Sequence, residues 1–132
     1  MPLQALIFDV DGTLADTEEA HRLAFNQAFS EAGLDWKWGP ELYTHLLTVT
    51  GGKARIRFYL EAYHPEFLRT DDIMERIEDL HKAKTKFYVA AVKAGQVPLR
   101  PGVERLLGEA RKEGLTLAIA TTTKNSHHAC CR

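Results

Sequence analysis

The sequence predicts an α/β fold in which a small parallel-sheet core is interrupted by an all-helical block. Two short apolar runs rich in β-forming residues, 5–10 and 115–120, are each typical of a buried strand. The segments between them have helical periodicity and no strand pattern. A strand, a helical block and a second strand together indicate a core with an insertion.

The first helix of the insertion is predicted over residues 17–32. Asp16 or Thr17 supplies its N-cap, and Gly33 suits the position after its last turn. Its apolar face is expected to consist of four residues at helical spacing, Leu23, Ala24, Ala28 and Ala32.

Four further helices are predicted along the chain. Pro40 suits the first position of the second helix, which continues to about residue 49 before Gly51 and Gly52 interrupt the pattern. The longest helix is expected over residues 71–94 because its apolar residues recur on one stripe. The other two are predicted over residues 53–63 and 102–113.

Length and composition restrict the class of protein. A chain of 132 residues is one domain's worth, with room for a small insertion. The 27% charged residues and net charge of -1 are ordinary for a globular protein and argue against a nucleic-acid partner. The chain contains neither a transmembrane run nor a secretory signal pattern, and its only cysteines are an adjacent C-terminal pair. We therefore expect a cytoplasmic protein without a membrane partner, while its oligomeric state stays open.

Two aspartates, Asp9 and Asp11, stand where the first predicted strand ends. Ligands of open α/β folds bind at the carboxyl ends of the strands, so this pair is expected at a binding edge. Paired carboxylates supply a nucleophile, a proton donor and a Mg²⁺ site in one place. A carboxylate that only caps a turn is the alternative, which is disfavoured because two carboxylates seldom share a strand end.

Several motifs carry a resemblance to a known family. Residues 6–14, Leu-Ile-Phe-Asp-Val-Asp-Gly-Thr-Leu, resemble the first signature of the haloacid dehalogenase-like hydrolases. Further segments resemble the CbbY group of sugar-phosphate phosphatases, relatives of β-phosphoglucomutase: residues 15–18, 50–53, 81–84, 99–102 and 118–123. The resemblance implies a partial Rossmann-like parallel-sheet core and an inserted helical cap. It divides the chain into core residues 1–15 and 97–124, cap residues 16–96 and an atypical tail, 125–132.

The resemblance also implies roles for the residues at the sheet edge. Asp9 would be the nucleophile that becomes an aspartyl-phosphate, and Asp11 the general acid and then the general base. Mg²⁺ would bind Asp9 and the backbone carbonyl of Asp11. Thr121 and Thr122 would hydrogen-bond the phosphate. The implied partner is a small-molecule sugar phosphate, such as the Calvin-cycle-related xylulose or ribulose bisphosphate.

The remaining substrate-binding candidates are less specific. They are Glu18, His21, Gly51, Gly52, Lys53, Arg55, His81, Lys84 and Lys124. Each has a structural alternative: a solvated helix N-terminus for Glu18 and His21, a surface turn for residues 51–55, and a packed lysine stem for Lys84. A surface lysine is the alternative for Lys124.

The chain departs from the family after residue 123. Members carry a later lysine and a later acidic pair, and neither pattern follows here, so we expect a chain truncated after the second signature. Such a chain would expose an apolar strand edge and be poorly stable and poorly active. The tail residues His127, His128, Cys130 and Cys131 lack the usual zinc-ligand spacing and are expected to be incidental. A non-catalytic remnant and a phosphomutase stay open as alternatives.

Overall fold

A computed structural model describes residues 2–121, and its elements follow the predicted order. The chain forms strand β1, helices α1 to α5 and strand β2, with one 3-10 helix between α3 and α4. Their bounds are Ala5–Phe8 for β1, Thr17–Glu31 for α1, Pro40–Leu46 for α2, Gly52–Tyr63 for α3, Pro65–Arg69 for the 3-10 helix, Ile73–Lys93 for α4, Val103–Lys112 for α5 and Thr116–Ile119 for β2. All seven predicted elements are confirmed, whereas the 3-10 helix is too short to show a periodicity and was not predicted.

The described chain divides into two compact units. The first contains residues 2–20 and 91–121, and the second contains residues 21–90. The first unit holds both strands and α5, whereas α2, α3 and the 3-10 helix belong to the second. The assignment of a core and a cap, with limits at residues 15 and 96, stays a prediction. The predicted tail lies outside the described residues.

The two strands pair in parallel, as predicted. The register places Phe8 opposite Ile119, and the backbone N–H of Ala120 donates to the carbonyl of Phe8 over 2.8 Å. Parallel pairing brings the carboxyl ends of β1 and β2 to the same edge of the sheet. Helix α5 packs against β2.

The expectation that both strands are buried is wrong. Ile7 is 71% exposed, and its register partner Ala118 is exposed as well. Side chains alternate between the two faces of a sheet, and the partly buried Leu6 and Phe8 lie on the other face. Within residues 2–121, α5 is the helix that packs on this sheet, so one face stays open. The expectation that the edge of β1 is exposed and apolar stays a prediction.

The second unit has an aromatic core. Its fully buried residues include Phe25, Phe29 and Trp38, whose rings lie 4.7 to 6.1 Å apart. The predicted apolar face of α1 is wrong in two positions, because Leu23 is 53% exposed and Ala32 is also exposed. Phe25 and Phe29, four residues apart, each bury more apolar area than an alanine. The buried face of α1 is therefore centred on these two rings.

None of the helices between residues 2 and 121 combines the length and the apolar character that crossing a membrane requires.

Candidate active site

The loop after β1 folds back on itself and carries both aspartates. The carbonyl of Val10 accepts hydrogen bonds from the N–H groups of Thr13 and Leu14, at 3.2 and 3.0 Å. Gly12 has a φ of 75°, a conformation that glycine adopts without strain, and its N–H donates to the carbonyl of Ala15. This compact turn explains how a short loop can present two carboxylates, one residue apart, at the end of a strand.

The two carboxylates have different surroundings. Asp9 is exposed, and its Oδ1 accepts the backbone N–H of Val10 at 2.9 Å. Asp11 is partly buried, and its Oδ1 accepts the hydroxyl proton of Thr17 at 2.6 Å. Thr17 is the first residue of α1 and only 1% exposed, so a fixed hydroxyl orients the Asp11 carboxylate. The sequence indicates Thr17 only as an N-cap candidate, and no local pattern reveals its contact with Asp11.

Arg100 also contacts this loop. Its Nη1 donates to the carbonyl of Gly12 at 2.6 Å, and its backbone N–H donates to the carbonyl of Leu14 at 2.8 Å. The adjacent Leu99 forms an antiparallel bridge with Ala15. Arg100 lies in segment 99–102, which the sequence indicates only through its resemblance to the CbbY group. The spacing of Arg100 from the loop does not predict a contact.

Thr121 follows β2 at the edge where Asp9 follows β1. The pairing of Phe8 with Ile119, continued by the hydrogen bond from Ala120 to Phe8, places both positions at one end of the sheet. Thr121 is exposed. The other two candidates for phosphate binding near this edge, Thr122 and Lys124, lie outside the described residues.

In the second unit, Lys84 is buried among aromatic rings. It is 8% exposed, and its Nζ lies 4.9 Å from the ring centroid of Phe25 and 5.4 Å from that of Tyr88. His21 stacks on the other ring, with its centroid 3.9 Å from that of Tyr88. The two candidates therefore share Tyr88 as a neighbour. Lys84 does not extend to the solvent, which a packed surface lysine would do.

The start of α3 lies against the middle of α4. A Cβ added to Gly52 would stand 2.6 Å from Cδ2 and 2.7 Å from Nε2 of His81, so this ring would have to move if another residue replaced the glycine. Lys53 Nζ lies 2.5 Å from Oε2 of Glu78, which is exposed. The hydrogen bond from Lys53 lowers the pKa of Glu78, and the charges of Lys53, Lys82 and His81 lower it further. Gly51 precedes the helix with a φ of 95°.

Arg55 has structural partners at the end of α2. Its Nε and Nη2 donate to the carbonyls of Leu46 and Val49, at 3.2 and 3.0 Å, and its guanidinium lies over the ring of Tyr43. A cation at a helix C-terminus interacts favourably with the helix dipole. Glu18 is partly buried in the first turn of α1. Substrate roles for both residues stay predictions.

The loop after β1 offers oxygen donors of the kind that magnesium prefers. Within residues 2–121, no group of three or more His, Cys, Asp or Glu side chains is arranged to hold an ion. Mg²⁺ is commonly held by one or two carboxylates and keeps several waters. Asp9 and the carbonyl of Asp11 fit this donor set.

Comparisons with known proteins identify the family of this chain. Residues 3–130 match the haloacid dehalogenase-like hydrolases. The chain belongs to this hydrolase family. The plasmid CbbY protein of Cupriavidus necator is 57% identical to this chain over 121 residues, which are 92% of this chain and 48% of that protein.

Two solved structures of CbbY from Rhodobacter sphaeroides are similar in fold to this chain. One is a complex with phosphate, with a TM-score of 0.73 and 45% identity over 95% of this chain and 53% of that one. The other is a variant in complex with xylulose-(1,5)bisphosphate, with the same TM-score, the same coverage and 44% identity. The chain spans about half the length of the curated relatives it matches.

Proposed function

We propose that this hydrolase is a Mg²⁺-dependent phosphatase that acts on a sugar bisphosphate such as xylulose or ribulose bisphosphate. The observation that carries the proposal is the loop after β1, which presents Asp9 and Asp11 at the edge where both strands end. A solved structure shows a CbbY variant in complex with xylulose bisphosphate. The similarity of this chain to CbbY supports the same substrate class. We accordingly expect a cytoplasmic enzyme whose substrates are sugar phosphates related to the Calvin cycle.

Asp9 is the proposed nucleophile because it is exposed at the strand end. One of its carboxylate oxygens attacks phosphorus, forming an aspartyl-phosphate as the bond to the sugar oxygen breaks. Water then attacks phosphorus, releasing inorganic phosphate and restoring the carboxylate. Mg²⁺, when bound by Asp9 and the carbonyl of Asp11, would screen the repulsion between the anionic nucleophile and the anionic phosphate.

Asp11 is the proposed proton donor to the departing sugar oxygen and the base for the attacking water. Thr17 donates to Oδ1 of Asp11 at 2.6 Å. The fixed hydroxyl orients this carboxyl group, and correct orientation is a large part of what an enzyme supplies to a proton transfer. Thr121 and Thr122, with Lys124, are proposed to bind the phosphate that is transferred.

Several residues of the second unit are proposed to bind sugar phosphate. Lys53 and Lys84 are cations suited to a second phosphate, since ammonium–phosphate contacts are charge-assisted. Gly51 and Gly52 allow the backbone to approach the ligand closely. Further contacts to sugar hydroxyls or phosphate are proposed for Glu18, His21, Arg55 and His81.

The proposal is tested by incubating the purified protein with xylulose 1,5-bisphosphate and Mg²⁺ and measuring both free phosphate and sugar-phosphate isomers. Phosphate release that stops on chelation of the metal supports the phosphatase. Isomer formation without phosphate release would instead indicate a phosphomutase. Neither product, in a protein that unfolds cooperatively on heating, would indicate a non-catalytic remnant.

A further inference from the structure

Arg100 contacts the loop that carries Asp11 through both its side chain and its backbone. Nη1 donates to the Gly12 carbonyl at 2.6 Å across a sequence separation of 88 residues, and the backbone N–H donates to the Leu14 carbonyl at 2.8 Å. The bridge between Leu99 and Ala15 continues this contact in the antiparallel direction. Segment 99–100 therefore lies along the second half of the loop.

The internal hydrogen bonds of the loop fix its N–H groups rather than the Gly12 carbonyl. The N–H groups of Thr13 and Leu14 donate to Val10, and that of Gly12 donates to Ala15. Gly12 has a φ of 75°, and glycine is the residue with the widest range of accessible φ and ψ. A bond to its carbonyl therefore restricts rotation at the most flexible point of the loop, directly after Asp11.

The guanidinium is well suited to this carbonyl. Hydrogen bonds from a charged donor are shorter and stronger than those between neutral groups, and the 2.6 Å distance is short. The planar fork of arginine is pre-organised, whereas a lysine ammonium is a flexible point charge. The Thr17 hydroxyl contacts the side chain of Asp11, and Arg100 contacts the carbonyl of the next residue, Gly12.

We propose that Arg100 is a positioning residue for the proton transfer by Asp11, acting through the Gly12 carbonyl. The inference rests on the proposed phosphatase function, but the order of the loop can be measured without turnover. Arg100→Met should slow kcat by about tenfold to a hundredfold, the range expected for misplacing a catalytic group, with KM for xylulose 1,5-bisphosphate within about twofold. Arg100→Lys should recover part of the loss.

Arg105→Met is the matched control, since it removes the same charge from the following helix. Arg105 is 81% exposed and pairs with Glu109 at 3.7 Å, away from the loop contacts. It should leave kcat, KM and amide exchange unchanged. In Arg100→Met, hydrogen exchange of the Gly12 amide should be about tenfold faster at an unchanged melting temperature, as a hydrogen bond to a charged group is lost.

Three results would overturn the inference. One is wild-type kcat and wild-type Gly12 exchange in Arg100→Met. Another is a raised KM at unchanged kcat, which would make Arg100 a substrate ligand. The third is a lowered melting temperature without a Gly12-specific change in exchange, which would make its role purely structural. A wild-type protein that releases no phosphate contradicts the proposed function, and Gly12 exchange then still decides whether Arg100 orders the loop.

Discussion

The Thr17 hydroxyl donates to Asp11 Oδ1 over 2.6 Å, so the residue that begins α1 also orients the second aspartate of the loop. Thr17 is 1% exposed, and its position is therefore fixed by packing. The packing around Thr17 therefore fixes the hydroxyl group that donates to Asp11 Oδ1.

Thr17→Val tests this contact because valine has nearly the shape of threonine but no hydroxyl. We expect kcat to fall about tenfold, because one charge-assisted hydrogen bond is lost, and the free energy of unfolding to fall by about 1.5–3 kcal/mol. Thr17→Ser, which retains the hydroxyl, should keep most of the activity. Equal kcat in the wild type and in Thr17→Val would refute an orienting role.

The order of the elements could be predicted from the sequence because local signals determine it. Pro40 at the first position of α2 and the apolar stripe of α4 act over one or two helical turns, and the structure follows both. The burial of the strands could not be predicted, because it depends on what covers the sheet. Ile7 is part of an apolar run and yet 71% exposed.

The aspartates could be predicted from the sequence, but their supporting contacts could not. Asp9 and Asp11 are adjacent to a recognisable strand end, whereas Arg100 reaches Gly12 across 88 residues. Asn26 likewise binds both the N–H and the carbonyl of Trp38, at 2.8 and 2.9 Å, and no spacing rule indicates such a pair. Contacts of this kind arise from the tertiary fold and carry no local pattern.

Lys84→Met separates substrate binding from packing. The ammonium of Lys84 contacts the rings of Phe25 and Tyr88, and such cation–π contacts contribute about 0.5–2 kcal/mol each. Methionine fills similar space without the charge, so we expect a melting temperature lowered by the loss of these contacts. KM for the bisphosphate should rise by roughly tenfold to a hundredfold if Lys84 binds phosphate. Lys86→Met, an exposed change on the same helix, should alter neither. An unchanged KM would remove Lys84 from the binding site.

Gly52→Ala should be destabilising because the new Cβ would stand 2.6 Å from the His81 ring. Displacing that ring is expected to cost about 1–3 kcal/mol, measurable by urea unfolding. Gly108→Ala is the contrasting control, because its Cβ would meet nothing within 4 Å in the interior of α5. It should stabilise the protein by about 0.5–1 kcal/mol. If Gly52→Ala were as stable as Gly108→Ala, the close packing of α3 on His81 would be wrong.

The pair of Lys53 and Glu78 predicts a pH dependence. The hydrogen bond from Lys53 lowers the pKa of Glu78 below its ordinary value of 4.5. The contribution of this carboxylate to stability is therefore present above pH 4.5 and is lost as the pH falls through the lowered pKa. In a carbon-detected NMR titration, Lys53→Met should move the Glu78 midpoint upward, whereas Lys93→Met should not. An unmoved midpoint in Lys53→Met would contradict the pairing.

The variant Asp9→Asn tests whether Asp9 is the nucleophile of a phosphatase. The measurement is phosphate release from xylulose 1,5-bisphosphate in the presence of Mg²⁺, compared between the wild type and Asp9→Asn. An amide cannot replace the nucleophilic carboxylate, so we expect Mg²⁺-dependent release by the wild type and a loss of at least about a thousandfold in the variant, with an unchanged melting temperature. Phosphate release at the same rate by both proteins would show that Asp9 is not the nucleophile. Release by neither protein would contradict the proposed phosphatase activity.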